Sequence, residues 1–131
     1  MGSGLRWFGR RFALTNKRPI QMHIQAGNHA VAGNDHAFQA FKDGEGERHF
    51  EHVVKFEEPF EEIPQILVAL NHLDIASFTA LRLNVTAEKI SAAGFTLRYS
   101  TWANTQIFGV GAQWMAFHAA LSDFRLTGRI L

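Results

Sequence analysis

Between Gly94 and Trp102 the chain sets Phe95, Leu97 and Tyr99 against Thr96, Arg98 and Ser100, apolar and polar residues in alternation. A period of two suits a strand with one buried face and excludes a helix, because successive strand side chains leave on opposite sides. Ala80 to Ala87 repeats the pattern, with Leu81, Leu83 and Val85 on one face and Arg82, Asn84 and Thr86 on the other. Phe50 to Phe56 reads as another strand, stopped by Glu57-Glu58-Pro59. Ile66 to Leu73 is nearly all apolar, the composition of a central strand. Met22 to Gly27 opens the set and Gly111 to Ala120 completes it. Asn28 to Asp43 reads as a loop anchored by Phe38 and Phe41, and Asp43-Gly44-Glu45-Gly46-Glu47 as a turn. Strands at this spacing predict an all-β fold, a six-stranded antiparallel β-sandwich. Its expected core holds Leu81, Leu83, Val85, Phe95, Leu97, Trp114 and Val68.

A chain of 131 residues is long enough to bury one such core. Apolar residues make up 47% and charged residues 19%, a folded rather than disordered composition. No apolar run reaches membrane-spanning length. Cysteine is absent, which removes disulfides, thiolate metal ligands and a cysteine nucleophile. Charge is unevenly distributed: Arg6, Arg10, Arg11, Lys17 and Arg18 precede the first acidic residue, Asp35, and the remainder carries eight basic against twelve acidic residues. The chain is thus expected to comprise a basic aromatic N-terminal arm over 1–20, a sandwich over 21–120 and an extension over 121–131. The arm, with Trp7, Phe8 and Phe12, suits attachment to a larger body. It lacks the unbroken apolar run and cleavage site of a secretory signal, which leaves a cytoplasmic place, a released particle or a surface reached by another route. The body has no basic stripe with interleaved aromatics, so no nucleic-acid partner is expected.

Chemistry concentrates at Thr101-Trp102-Ala103-Asn104-Thr105, where an indole stands among short polar side chains. Such an arrangement presents a flat apolar surface to a sugar ring; a core position near a strand end is the other role open to Trp102. No catalytic set is visible. There is no Gly-x-Ser-x-Gly elbow, phosphate-binding glycine loop or His-Glu-x-x-His. No opposed carboxylate pair of the glycosidase kind is identifiable. His49 and His52 have a His-x-x-His spacing, but in a strand they face opposite sides, which defeats chelation. Glu57, Glu58, Glu61 and Glu62 read as a solvated turn. Neither catalytic activity, cofactor nor metal is expected.

Several pieces, taken in order, resemble the H-type lectin domain family of discoidin C-terminal domains and invertebrate agglutinins. They are Phe56, Pro59-Phe60 and Pro64, then Val68-Ala69-Leu70-Asn71-His72-Leu73-Asp74, Leu81-Arg82-Leu83, Gly94-Phe95, Thr101-Trp102 with Thr105, and Trp114. The resemblance covers roughly Phe50 to Phe117, with a weaker echo at Ile24-Gln25-Ala26-Gly27. It implies a homotrimer that binds galactose- or N-acetylgalactosamine-type glycans in clefts between subunits. It also implies sugar-contacting roles for Arg82 and Trp102, with help from Asn104 and from an acid at Asp43 or Glu45. Asp74 is expected to close the turn after the central strand. The chain departs from the agglutinins at Ala103, where they carry a histidine, so its sugar preference is expected to differ. The competing reading is a structural or assembly subunit, part of a phage-like spike or adhesin, that docks through residues 1–20.

Overall fold

A computed structural model describes residues 20–121, and side chains from 21 to 119. The arm and the extension lie outside the described residues, apart from the strand-end residues Ile20 and Leu121. Six strands form in order: β1 (Ile20–Ala32), β2 (Arg48–Lys55), β3 (Gln65–Ile75), β4 (Asn84–Glu88), β5 (Gly94–Thr101) and β6 (Ile107–Leu121). They make two antiparallel sheets of three strands, β1-β6-β3 and β2-β5-β4. The six-stranded antiparallel β-sandwich expected from periodicity is the fold observed.

Pairing in the second sheet runs from Arg48 opposite Thr101 to Lys55 opposite Gly94. This register turns Phe95, Leu97 and Tyr99 inward, where all three are buried. Opposite them lie Val110, Ala112 and Ala116 of β6. Leu83, Val85, Val68 and Trp114 are partly buried against this core. Trp114 packs edge-on to Phe95 at 5.3 Å and near Phe56 at 5.9 Å. Gly27 lies directly beneath its indole, so that a Cβ there would come within 2.7 Å of the ring.

Several expectations are corrected. The first strand does not stop at Gly27 but continues to Ala32, because Gly27 is the seat of the Trp114 indole and His29 and Val31 keep facing inward. The segment read as loop contains a 3-10 turn at His36–Phe38 and a short helix, α1, at Gln39–Asp43. The Asp35 side chain accepts the Ala37 N–H at 2.9 Å and starts that turn. Phe38 and Phe41, three positions apart, both reach the core. β3 is an edge strand rather than a central one: β6 takes the centre, and Leu67 and Leu70 of β3 face outward. Asp74 lies inside β3 at a register shift and closes no turn. β6 begins at Ile107, four residues earlier than expected.

The largest correction concerns the stretch from Ala80 to Ala87. Only Asn84–Glu88 pairs as a strand, and Leu81 is 53% exposed instead of buried. The cause is local. The Thr105 hydroxyl donates to the Ala80 carbonyl at 2.7 Å and the Thr101 hydroxyl to the Arg82 carbonyl at 2.5 Å. Side chains take the acceptors that a strand ladder would have used, and Leu81 is left on the outside.

A polar contact crosses the core. His29 Nδ1 of β1 and the Tyr99 hydroxyl of β5 are hydrogen-bonded at 2.9 Å, and the His29 ring stacks on His52 of β2 with centroids 3.9 Å apart. Burial, and then the neighbouring His52, hold His29 below its ordinary value near 6.5, against an opposing pull from Asp35. Burial pushes the Tyr99 phenol up to about 12. The signs follow by linkage. Below pH 6.5 the unfolded chain takes a proton that folded His29 resists, so stability present above that pH is lost as pH falls. Between pH 10 and about 12 the unfolded chain ionises Tyr99 while the folded one does not, so stability is lost as pH rises. Urea melts across both ranges should show the two declines, with the acid one flattened in His29→Gln. An unchanged acid slope in that variant would remove His29 as its source.

Candidate functional site

At one end of the β2-β5-β4 sheet, β5 leads into the loop Trp102–Gln106, and two other segments are tied to it. Thr101 and Thr105 are buried at its ends, and their hydroxyls hold the 80–82 segment as described. The Asn104 side-chain oxygen accepts the Ala80 N–H at 3.4 Å, and the Ala76 N–H donates to the Gln106 carbonyl at 3.1 Å. From the other side, the Gly46 N–H donates to the Ala103 carbonyl at 3.0 Å. The turn after α1 therefore lies against the same loop. All five candidate residues, Arg82, Trp102, Asn104, Asp43 and Glu45, stand on these three joined segments within one chain.

Their side chains differ in freedom. Trp102 is 37% exposed although both flanking threonines are buried, so the indole is not sealed in the sandwich. Arg82 is exposed, as are Asn84 and Thr86. Its guanidinium has no ion-pair partner among the described residues. Asp43 ends α1 and accepts a hydrogen bond from the Gln39 amide, one turn earlier. Glu45 is exposed in the turn. Asn104 commits its oxygen to the Ala80 backbone, so part of its role is to shape the loop.

Three features of the site were not read from the sequence. Ala103 has a φ of 62°, in the left-handed region, which costs a residue with a Cβ about 1–2 kcal/mol. Thr101 and Thr105 act as tethers, signalled only by being hydroxyl residues flanking the indole. The third is Arg48, at the start of β2. Its guanidinium donates to four backbone carbonyls: Gly46 at 2.8 Å, Ala40 at 3.2 Å, Thr105 at 2.9 Å and Ala103 at 3.0 Å. Burial lowers its pKa and nearby Glu45 raises it, and an arginine remains charged under any such balance. No short-range motif marks this residue, since its acceptors are backbone atoms from three separate segments.

The inner histidine of the His-x-x-His pair, His52, is engaged with His29, whereas His49 faces solvent on the opposite side of β2. The two do not converge.

Residues 51–117 match the family model of the H-type lectin domain. A protein of Fuscovulum blasticum described as "ATP synthase subunits region ORF 7" is 35% identical over 80 residues, 61% of this chain and 70% of that one. Among solved structures, wild-type discoidin II from Dictyostelium discoideum aligns with a TM-score of 0.66 at 22% identity. That alignment covers 75% of this chain but only 37% of the discoidin chain. An N-truncated R1-type pyocin tail fibre aligns at 0.51 and 13% identity, over 90% of this chain and 99% of that one. At these identities the two structures share the fold. The family match runs from β2 nearly to the end of β6, takes in both the Arg82 segment and the Trp102 loop, and extends over half the sequence: the chain belongs to the H-type lectin domain family.

Proposed function

We propose that this chain is a non-catalytic carbohydrate-binding module that takes galactose- or N-acetylgalactosamine-type glycans, or related ones, at the Trp102 end of the sandwich. The observation that carries the reading is the exposed indole held between two buried threonines, on a loop joined to the Arg82 segment and to the acidic turn. Trp102 covers the apolar face of the sugar ring, and Arg82 supplies donors in a fixed fork to hydroxyl and carbonyl oxygens. Asn104 and an acid at Asp43 or Glu45 complete the polar contacts. Ala103, in place of the histidine of the agglutinins, leaves a smaller polar set and a changed preference among these sugars.

The same reading includes a homotrimer with sugar between subunits. Three weak sites on one assembly raise avidity without any new contact. Two surfaces support assembly: the outward row of Arg82, Asn84 and Thr86, and the outer face of β1-β6-β3. There Ile24 and Leu67 are exposed, beside a polar bridge from Asn71 to Asn28 and Gln113. Light scattering should report a trimer at micromolar concentration, and a glycan array should light up with terminal galactose or N-acetylgalactosamine. A monomer would remove the intersubunit site; a blank array at high protein concentration would remove the lectin reading. The second reading, an assembly subunit of a larger particle docking through residues 1–20, is favoured by the fold shared with a tail fibre. It gains if a trimer forms and the array stays blank.

A further inference from the structure

We propose that Arg48 is the positioning residue of the glycan site: by gripping the Ala103 carbonyl it locks the left-handed kink that turns Trp102 outward and sets the acidic turn beside it. This rests on the reading of Trp102 as the sugar-stacking residue.

The geometry carries the argument. Arg48 opens β2 opposite Thr101, the last residue of β5, so its guanidinium emerges where both strands end. All four of its hydrogen bonds go to backbone carbonyls, one each from α1 and the glycine turn and two from the Trp102 loop. Among the described residues no carboxylate accepts from it. An arginine used in this way fixes segments relative to one another rather than neutralising a charge. The carbonyl of Ala103 is doubly held, by Arg48 Nη2 and by the Gly46 N–H, each at 3.0 Å. Ala103 is also the residue with a φ of 62°. A strained backbone persists only where its surroundings over-determine it, and here the surroundings are Arg48, the Gly46 amide and the two threonine tethers. Trp102 immediately precedes that kink.

The site is also built around the arginine stem. A Cβ on Gly44 would come within 2.7 Å of Arg48 Cδ and 2.6 Å of the Ala40 carbonyl, so the turn passes close against it. Lysine cannot substitute, because a compact ammonium with three donors does not reach four carbonyls as the five-donor guanidinium fork does.

The test uses the full chain and three variants: Arg48→Lys, Ala103→Gly and the double variant. Galactose and N-acetylgalactosamine are titrated by calorimetry. In parallel, NMR follows the Trp102 indole N–H, assigned with Trp102→Phe, and exchange of the Gly46 amide. Arg48→Lys should stay folded by circular dichroism, weaken sugar binding at least tenfold, shift or broaden the Trp102 signal and speed Gly46 exchange by a similar factor. The double variant should recover part of the affinity, since glycine accepts a positive φ without steric cost. Recovery by relieving strain one residue from the indole is not expected of an arginine that only supports the fold. Wild-type affinity in Arg48→Lys, or an unmoved Trp102 signal, would overturn the proposal. If the wild type binds neither sugar while both NMR readouts move as expected, the lectin reading fails and the clamp on Trp102 stands.

Discussion

Replacing Trp102 by alanine is expected to abolish glycan binding while leaving the melting temperature nearly unchanged. The indole is 37% exposed and lies outside the packed core, whose aromatic members are Phe38, Phe41, Phe50, Phe56, Phe60, Phe95, Tyr99 and Trp114. Its loop is held by Thr101, Thr105 and Arg48, none of which depends on the Trp102 side chain. Removing it therefore costs the fold little and the ligand a central contact. Central aromatic anchors carry about 2 kcal/mol or more at binding surfaces, roughly a thirtyfold loss in affinity. For a shallow single-sugar site that takes binding below detection on an array. Arg82→Ala should behave in the same way, because its guanidinium has no ion-pair partner among the described residues. A Trp102→Ala protein that still binds would locate the sugar elsewhere. One that melts several degrees lower would make the indole a packing residue.

Phe38→Ala should have the largest effect on stability of the substitutions considered, a loss of about 3–5 kcal/mol. Phe38 is fully buried, 4.9 Å from Phe41 and edge-on to Phe50 at 5.6 Å. It packs between Phe41 of α1 and Phe50 of β2, so truncation leaves a cavity inside the core. A domain of this size should lose at least roughly 10 °C in melting temperature. Leu81→Ala offers the contrast: an exposed side chain there should change stability by no more than about 0.5 kcal/mol. If the two variants melt alike, the division between core and surface described above is wrong at one of these positions.

Leu81 and Phe38 also mark the limit of what alternation reveals. Along β5 the pattern placed Phe95, Leu97 and Tyr99 correctly in the core, because a strand paired on both sides has no choice of face once one face meets a core, although Thr96 on the other face is buried as well. At Leu81 the same pattern failed. Hydroxyls some twenty residues away claimed the carbonyls on either side of it, and no local period encodes a partner at that separation. Phe38 reads from sequence as an anchor within a loop, since a 3-10 turn and one helical turn are too short for a helical period to emerge. The apolar run of β3 suggested a central strand. Its outward Leu67 and Leu70 instead leave an apolar outer face on an edge strand, a distinction that depends on sheet order and not on composition.

Spacing and side-chain identity alone reveal the all-β class, the positions of most strands, the inward faces of β4 and β5, and the order of residues that marks the lectin family. Each of these rests on spacing within a few residues or on the identity of single side chains. How Arg82, Trp102, Asn104 and the Asp43–Glu45 turn are joined emerges only in the folded chain. Each link has a backbone carbonyl or amide on at least one side, a group that side-chain identity does not mark. Arg48 shows the reason most plainly: one guanidinium unites three segments, reaching acceptors as many as 57 residues away along the chain that are invisible until it has folded.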